Sequence, residues 1–180
     1  MTQIVLINGA PGSGKSTLAQ LLAEDIRLAL ALNIDVIKHS LGQWETHATR
    51  AGQQARRLAL AMADEHVGAG NDVIIGQYLA RIDFIEQLEH LAQRRGADFI
   101  EFVLVLDKRT LLSRLEHRAV QPNRSEHEVN ARLVSAGDVP DLVSSMERLL
   151  AQRPSAISID ASGTPADTVG LIRRHLSVDV

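Results

Sequence analysis

Apolar residues along this chain follow two rhythms. Short runs that are apolar at nearly every position alternate with longer stretches in which apolar residues recur every three or four positions. The short runs are "QIVLIN" (3–8), "LALALN" (28–33), "NDVIIG" (71–76), "DFIEFVLVLD" (98–107) and "AISID" (156–160). Unbroken apolar runs of this length suit strands covered on both faces. The run at 28–33 is rich in leucine and alanine, which favour helix, but Asn33 and Asp35 close it and a new helical stretch follows, so it is counted as the second strand. The longer stretches predict helices over 15–26 (Leu18, Leu21 and Leu22 on one face), 49–67, 81–96 (Phe84, Leu88 and Leu91, with Gly96 as the stop), 108–119, 126–136, 140–152 and 165–176. A polar loop with a proline falls at 120–126. Strands alternating with helices imply an α/β fold with a five-stranded parallel sheet and helices on both faces. No repeat, low-complexity tract or long linker interrupts residues 1–180, which predicts one domain.

Composition narrows the class only a little. The chain has 180 residues, 45% hydrophobic and 23% charged, as expected of an ordinary globular protein with one sizeable core. A formal net charge of -3 offers no field to recruit nucleic acid or an anionic membrane. Cysteine is absent, which excludes disulfides and thiolate metal sites and fits a reducing cytosol. No apolar run is long enough to span a bilayer, and "TQIVLIN" follows Met1 with no basic segment or cleavage site, so a cytoplasmic protein is expected. The histidines show no metal-ligand spacing.

The chemistry is carried by residues 9–17. Gly9-Ala10-Pro11-Gly12-Ser13-Gly14-Lys15-Ser16, followed by Thr17, fits G-x-x-x-x-G-K-[ST] and lies where that pattern requires, after a strand and opening a helix. Glycines let successive backbone N–H groups turn toward phosphate oxygens, and the helix N-terminus adds partial positive charge. Lys15 would neutralise the β- and γ-phosphates of ATP, and the Ser16 hydroxyl would sit on Mg²⁺. A Ras-like GTPase would need Asp-x-x-Gly at the end of the third strand and an Asn-Lys-x-Asp guanine reader; neither occurs. A motor-type or AAA-type ATPase would carry Asp-Glu at a strand end, which is also absent. Phosphoryl transfer to an acceptor remains.

With these residues the chain resembles the nucleoside/nucleotide kinase group of P-loop proteins, which includes adenylate, shikimate and gluconate kinases, chloramphenicol phosphotransferases and AAA-type small kinases. The resemblance implies a P-loop NTPase fold with strand order 2-3-1-4-5 and a short lid, here residues 119–135. It also implies an ATP- and Mg²⁺-dependent kinase acting on a small-molecule acceptor, with no nucleic acid or membrane as partner. "IDVIK" (34–38) looks like the group's strand-two exit, with Asp35 as base or magnesium-ordering carboxylate and Lys38 on the acceptor. A plain helix cap at Asp35 with a solvated Lys38 is the alternative. "DVIIGQYLAR" (72–81) resembles "DVIIDGFPR", with Arg81 as the substrate-contacting arginine displaced by one residue. Gly76 replaces the strand-end Asp, which throws weight onto Asp35. Gln77 and Tyr78 either read the acceptor or fill the strand's exit. "LLSRLEHR" (111–118) looks like the arginine-bearing helix that begins the lid, placing Arg114 and Arg118 on ATP, Arg118 as catalytic, and Arg132 as the lid's basic residue. "DASGTP" (160–165) resembles the loop bordering adenine, and Asp107 reads as a helix cap. His39 lies beside the presumed acceptor pocket but reads first as a structural or solvated histidine, and Trp44 reads first as a buried helix anchor, with a wall of that pocket as the alternative. Because the strand-three carboxylate is missing, an ATP-binding regulator or degenerate kinase stands as the rival reading, with a self-standing NTPase behind it. Acceptor identity and oligomeric state are open.

Overall fold

A computed structural model describes residues 1–120 and 136–176. The first apolar run forms β1 (Gln3–Gly9), buried along its whole length and central in the sheet. α1 (Lys15–Glu24) follows the phosphate loop and leads to β2 (Leu30–Leu32). The second strand is therefore shorter than the run at 28–33. Ala29 N bonds to Ile26 O, and Leu28 takes a left-handed φ of 57° with its carbonyl accepting from His66 Nε2 at 2.7 Å. Those residues serve the turn, and only 30–32 reach the sheet.

α2 (Ile34–His39) and α3 (Ala48–Gly68) precede β3 (Val73–Gly76). α3 turns Ala51, Ala55, Ala59, Ala63 and Val67 inward, a stripe with i, i+4 spacing whose small side chains allow close approach. α4 (Asp83–Arg95) stops at Gly96, as the sequence implies, and buries Phe84, Ile85, Leu88, Leu91 and Ala92. β4 (Asp98–Val105), α5 (Lys108–Val120), a 3₁₀ turn at Ala136–Asp138, α6 (Val139–Gln152), β5 (Ile157–Asp160) and α7 (Pro165–Arg173) complete the chain. The expected helix at 126–136 falls, but for Ala136, outside the described residues.

All four strand pairings are parallel, and the order is β2-β3-β1-β4-β5. Central β1 and β3 are fully buried, whereas edge strands β2 and β5 keep exposed positions, because an edge strand has a neighbour on one side only. Reversal of direction between β1–β3 and β1–β4 puts the switch point beside β1, where ligands of open α/β sheets gather at the strands' C-terminal ends.

Candidate active site

Residues 9–14 leave β1 and turn into α1. Gly14 caps that helix in a left-handed conformation (φ 96°, ψ 2°) and, having no side chain, gives no side-chain cap to the helix's first amides. A side chain with a Cβ would strain this position, and the uncapped N–H groups project the helix's positive end into the loop. Ser13 N donates to Ala10 O (3.1 Å), and Lys15 Nζ folds back to donate to the same carbonyl (3.1 Å). Ser13 is buried and its hydroxyl has no hydrogen-bond partner among the described residues. Ala10 is buried, Pro11 and Ser16 are half-buried and Thr17 is exposed.

Gly76 ends β3 against this loop. A Cβ there would lie 2.7 Å from Lys15 O and 3.1 Å from Ser16 Cα, both backbone atoms. The strand-end Asp of the resembled group has no room here: the first turn of α1 rests directly on the strand. Beside Gly76, Ser16 opens onto a cavity of about 270 Å³ whose walls include Gln20, Leu32, Asn33 and Val36. Ser16 and its neighbours offer neutral oxygen donors. This fits Mg²⁺, which keeps several waters and takes few protein ligands when it arrives on phosphates. Among the described residues no three His, Cys, Asp or Glu converge on one point.

Asn33, not Asp35, caps α2. Its Oδ1 accepts from Asp35 N (2.9 Å) and Val36 N (3.3 Å). The capping alternative for Asp35 is thereby corrected: Asn33 sits one residue before the helix, where a side-chain oxygen reaches the first free amides, and Asp35 is already inside it. Asp35 is half-buried, and its carboxylate has no hydrogen bond or ion pair among the described residues. The cavity wall takes Asn33 and Val36 but not Asp35 itself. Lys38 lies with its Nζ 5.0 Å from the centre of the Trp44 ring, and His39 packs on the same indole at 4.2 Å between centroids. Trp44 is half-buried and sits in the turns before α3, outside any helix.

Past β3, Gln77 N donates to Ile7 O (3.1 Å), extending the ladder by one bond. Gly76 faces α1, so the alternation of a strand turns Gln77 to the opposite face, where its Oε1 is buried without a partner among the described residues. Tyr78 Oη lies 3.1 Å from Ser145 Oγ on α6, and Ser145 Oγ in turn donates to Leu142 O (2.7 Å). Arg81 is exposed and, like Asp35, makes no side-chain bond among the described residues.

On the nucleotide side Arg114 donates to Ser13 O (3.4 Å), Ser162 O (3.3 Å) and Gly163 O (3.1 Å), so one guanidinium joins the phosphate loop to the loop after β5. Asp107 Oδ1 accepts from Thr110 N (2.9 Å), the expected cap of α5. Hydrogen bonds from Thr110 hold the Asp107 carboxyl below its ordinary value, and Ser162 does the same for Asp160. The backbone of Arg118 lies on α5, one turn beyond Arg114. Arg132 and the lid from residue 121 onward lie outside the described residues.

Sequence reasoning missed Asn8. It is fully buried, and its Oδ1 accepts from Gly9 N (2.8 Å) and Leu79 N (2.9 Å) while its Nδ2 donates to Leu79 O (2.9 Å). The available signal was a polar residue closing an apolar run, directly before the first glycine of the motif.

A family model described as an AAA domain matches residues 4–137. The chain belongs to that family. The matched span of the AAA domain runs from β1 through α5 and contains the phosphate loop, Asp35 and Arg114. Its β3 ends at Gly76, with Gln77 following, and lacks the Asp-Glu of motor-type ATPases. No curated protein matches this AAA domain by sequence. Among solved structures it is similar to the tunicamycin resistance protein of Deinococcus radiodurans: TM-score 0.66, 19% identity, 99% of this chain and 97% of that one. It is also similar to a gluconokinase from Sinorhizobium meliloti 1021 (TM-score 0.61, 17% identity, 96% and 93% covered). A third is deoxyadenosine kinase from M. mycoides (TM-score 0.55, 13% identity, 96% and 97% covered). At these identities the likeness is one of fold, the P-loop NTPase fold. No helix among the described residues is long and apolar enough to cross a membrane.

Proposed function

We propose that the protein is an ATP-dependent phosphotransferase that moves the γ-phosphate of ATP to a hydroxyl or phosphate of a small-molecule acceptor. The observation that carries this reading is the junction at Gly76. The phosphate loop's lysine and serine and the cavity beside Ser16 meet there, with the backbone of α1 packed on the end of β3. ATP phosphates would lie in the loop 9–16, held by its amides and by Lys15, which exchanges the Ala10 carbonyl for the β- and γ-oxygens. The Ser16 hydroxyl would hold Mg²⁺, which would supply neutralisation of the phosphate charge.

The acceptor would enter from the α2 side. Asp35, with an unengaged carboxylate, is the candidate base for the acceptor's proton. Lys38 and Arg81 would position the acceptor. Tyr78, tied to Ser145, acts in this scheme by holding the segment that carries Arg81. Arg118, one turn past Arg114, would meet the charge that spreads over the transferred phosphoryl, with Arg132 as a further cation. A cytoplasmic setting fits the absence of cysteine.

The missing strand-three carboxylate motivates a second reading, in which ATP is bound and not transferred. Single-turnover reactions with ATP labelled at the γ-position, against nucleosides, nucleoside monophosphates, sugar acids and hydroxylated antibiotics, separate the two. Label moving to one acceptor class supports transfer. Tight ATP binding with no labelled product across the panel supports the rival. Rapid label release as phosphate without acceptor would favour an NTPase.

A further inference from the structure

β1 and β3 run side by side only as far as Ile7 and Gly76. Beyond that point β1 continues to Gly9 with β4 as its partner, and its other edge has lost its neighbour. The side chain of Asn8 fills that role. Its amide and the backbone of Leu79 exchange two hydrogen bonds of 2.9 Å, the pattern of one more rung on the ladder. The same Oδ1 also accepts from Gly9 N at 2.8 Å, the first amide of the phosphate loop. One fully buried carboxamide thus holds both the loop that would grip ATP and the segment that leads to Arg81. That segment is pinned twice more, at Gln77 N to Ile7 O and at Tyr78 to Ser145.

We propose that Asn8 is a positioning residue that couples nucleotide binding to the acceptor side. Phosphates that settle on the loop fix Gly9; Gly9 fixes the Asn8 carboxamide through Oδ1; and the carboxamide fixes Leu79 and the backbone around it. Asn8 touches neither substrate. Leaving Gly9 N, Leu79 N and Leu79 O buried without partners is costly, so the three bonds form and break together. The inference rests on the nucleotide-phosphate reading of residues 9–16, and it holds whether or not the phosphoryl group is then transferred.

Amide hydrogen exchange with and without Mg·AMP-PNP tests it. In the native protein the analogue should slow exchange in residues 9–16 and also, by about tenfold, in residues 77–81. In Asn8→Ala the slowing should persist at 9–16 and vanish at 77–81, with affinity for the analogue kept within about threefold. Asn8→Asp keeps both bonds to Oδ1 and loses the one from Nδ2, so it should restore part of the slowing at 77–81. Equal slowing at 77–81 in native and Asn8→Ala proteins would overturn the coupling, as would a native protein in which only residues 9–16 respond. If Asn8→Ala does not fold, the near-isosteric Asn8→Leu, which removes all three bonds, carries the test, since undiminished slowing at 77–81 in that variant contradicts a role for the carboxamide. A native protein that fails to bind the analogue removes the nucleotide reading and the coupling together. One that binds and couples but transfers no label loses only the transferase reading.

Discussion

The two sides of the site meet at Gly76 and hold their charged groups in opposite ways. On the proposed nucleotide side Lys15 and Arg114 are already engaged. Lys15 lies on the Ala10 carbonyl, and Arg114 spans three carbonyls in two loops. On the acceptor side Asp35 and Arg81 have no side-chain partner among the described residues, and Lys38 rests on an indole face. An engaged cation keeps its place before the ligand arrives, so little ordering is left to be done when phosphate replaces a carbonyl. An unengaged charge is ordered by the ligand itself. In the proposed scheme the nucleotide side would be preorganised by the chain, and the acceptor side would be completed by the acceptor.

This contrast is sharpest at Lys15. Lys15→Ala should lower transfer by about 10²–10³-fold, because it removes a preorganised positive charge from the place where negative charge develops. Omission of Mg²⁺ with EDTA should act in the same direction on turnover. Wild-type turnover in Lys15→Ala would dissolve the assignment of the phosphate loop.

Asp35→Asn probes the other side. Turnover should fall about 10²-fold, the scale of a lost general base. ATP affinity and thermal stability should stay near wild type, because Asn33 caps α2. The companion change Asn33→Ala should cost about 1 kcal/mol of stability in thermal or denaturant unfolding. Full activity in Asp35→Asn would move the search for the base to His39 or Asp107.

Arg114→Ala should weaken ATP binding by about tenfold, since hydrogen bonds from a charged donor are each worth one to a few kcal/mol. Its effect on turnover at saturating ATP should be smaller. Arg118→Ala should show the reverse split, lowering kcat more than ATP affinity. Titration of ATP with each variant distinguishes a brace from a transition-state contact.

The smallest effects concern pH and stability. Asp107, Asp160 and Asp167 are held below their ordinary value, first by side-chain hydrogen bonds from Thr110, Ser162 and Thr164. Their contribution is present above the unfolded carboxylate value and is lost as pH falls through the folded one. Glu101 on β4 behaves oppositely. Burial raises its carboxyl despite the hydrogen bond from Arg153 Nε (2.8 Å), so its contribution is full at low pH and is lost as pH rises through the folded value. Glu101→Gln should flatten the decline of stability above the ordinary glutamate value of 4.5 and leave the acid limb intact. Unfolding midpoints measured across pH would show this.

The sequence spoke clearly where one backbone solution serves one chemistry. Unbroken apolar runs marked β1, β3 and β4, and the spacing of Gly9, Gly14 and Lys15 marked the phosphate loop, since each glycine answers a backbone requirement. It was less clear at Leu28, where a leucine-rich run hid a turn. It was silent on Asn8, whose role depends on Leu79, 71 residues away. The reason for Gly76 was equally hidden: only the packed fold brings Lys15 O to the place where a Cβ would stand. Asn33 and Asp35 are two residues apart and both are plausible caps, and only the hydrogen bonds assign that task to Asn33.

The central claim is that the phosphate held by residues 9–16 is handed to an acceptor, and single-turnover transfer measures this directly. Enzyme in excess over γ-labelled ATP and Mg²⁺ is mixed with each acceptor class, and label is followed into product and into free phosphate. The account predicts label in one acceptor class, faster than release to water, and predicts that Asp35→Asn loses that product while ATP remains bound. Label found only as free phosphate, or retained wholly in bound ATP against every acceptor, would contradict it.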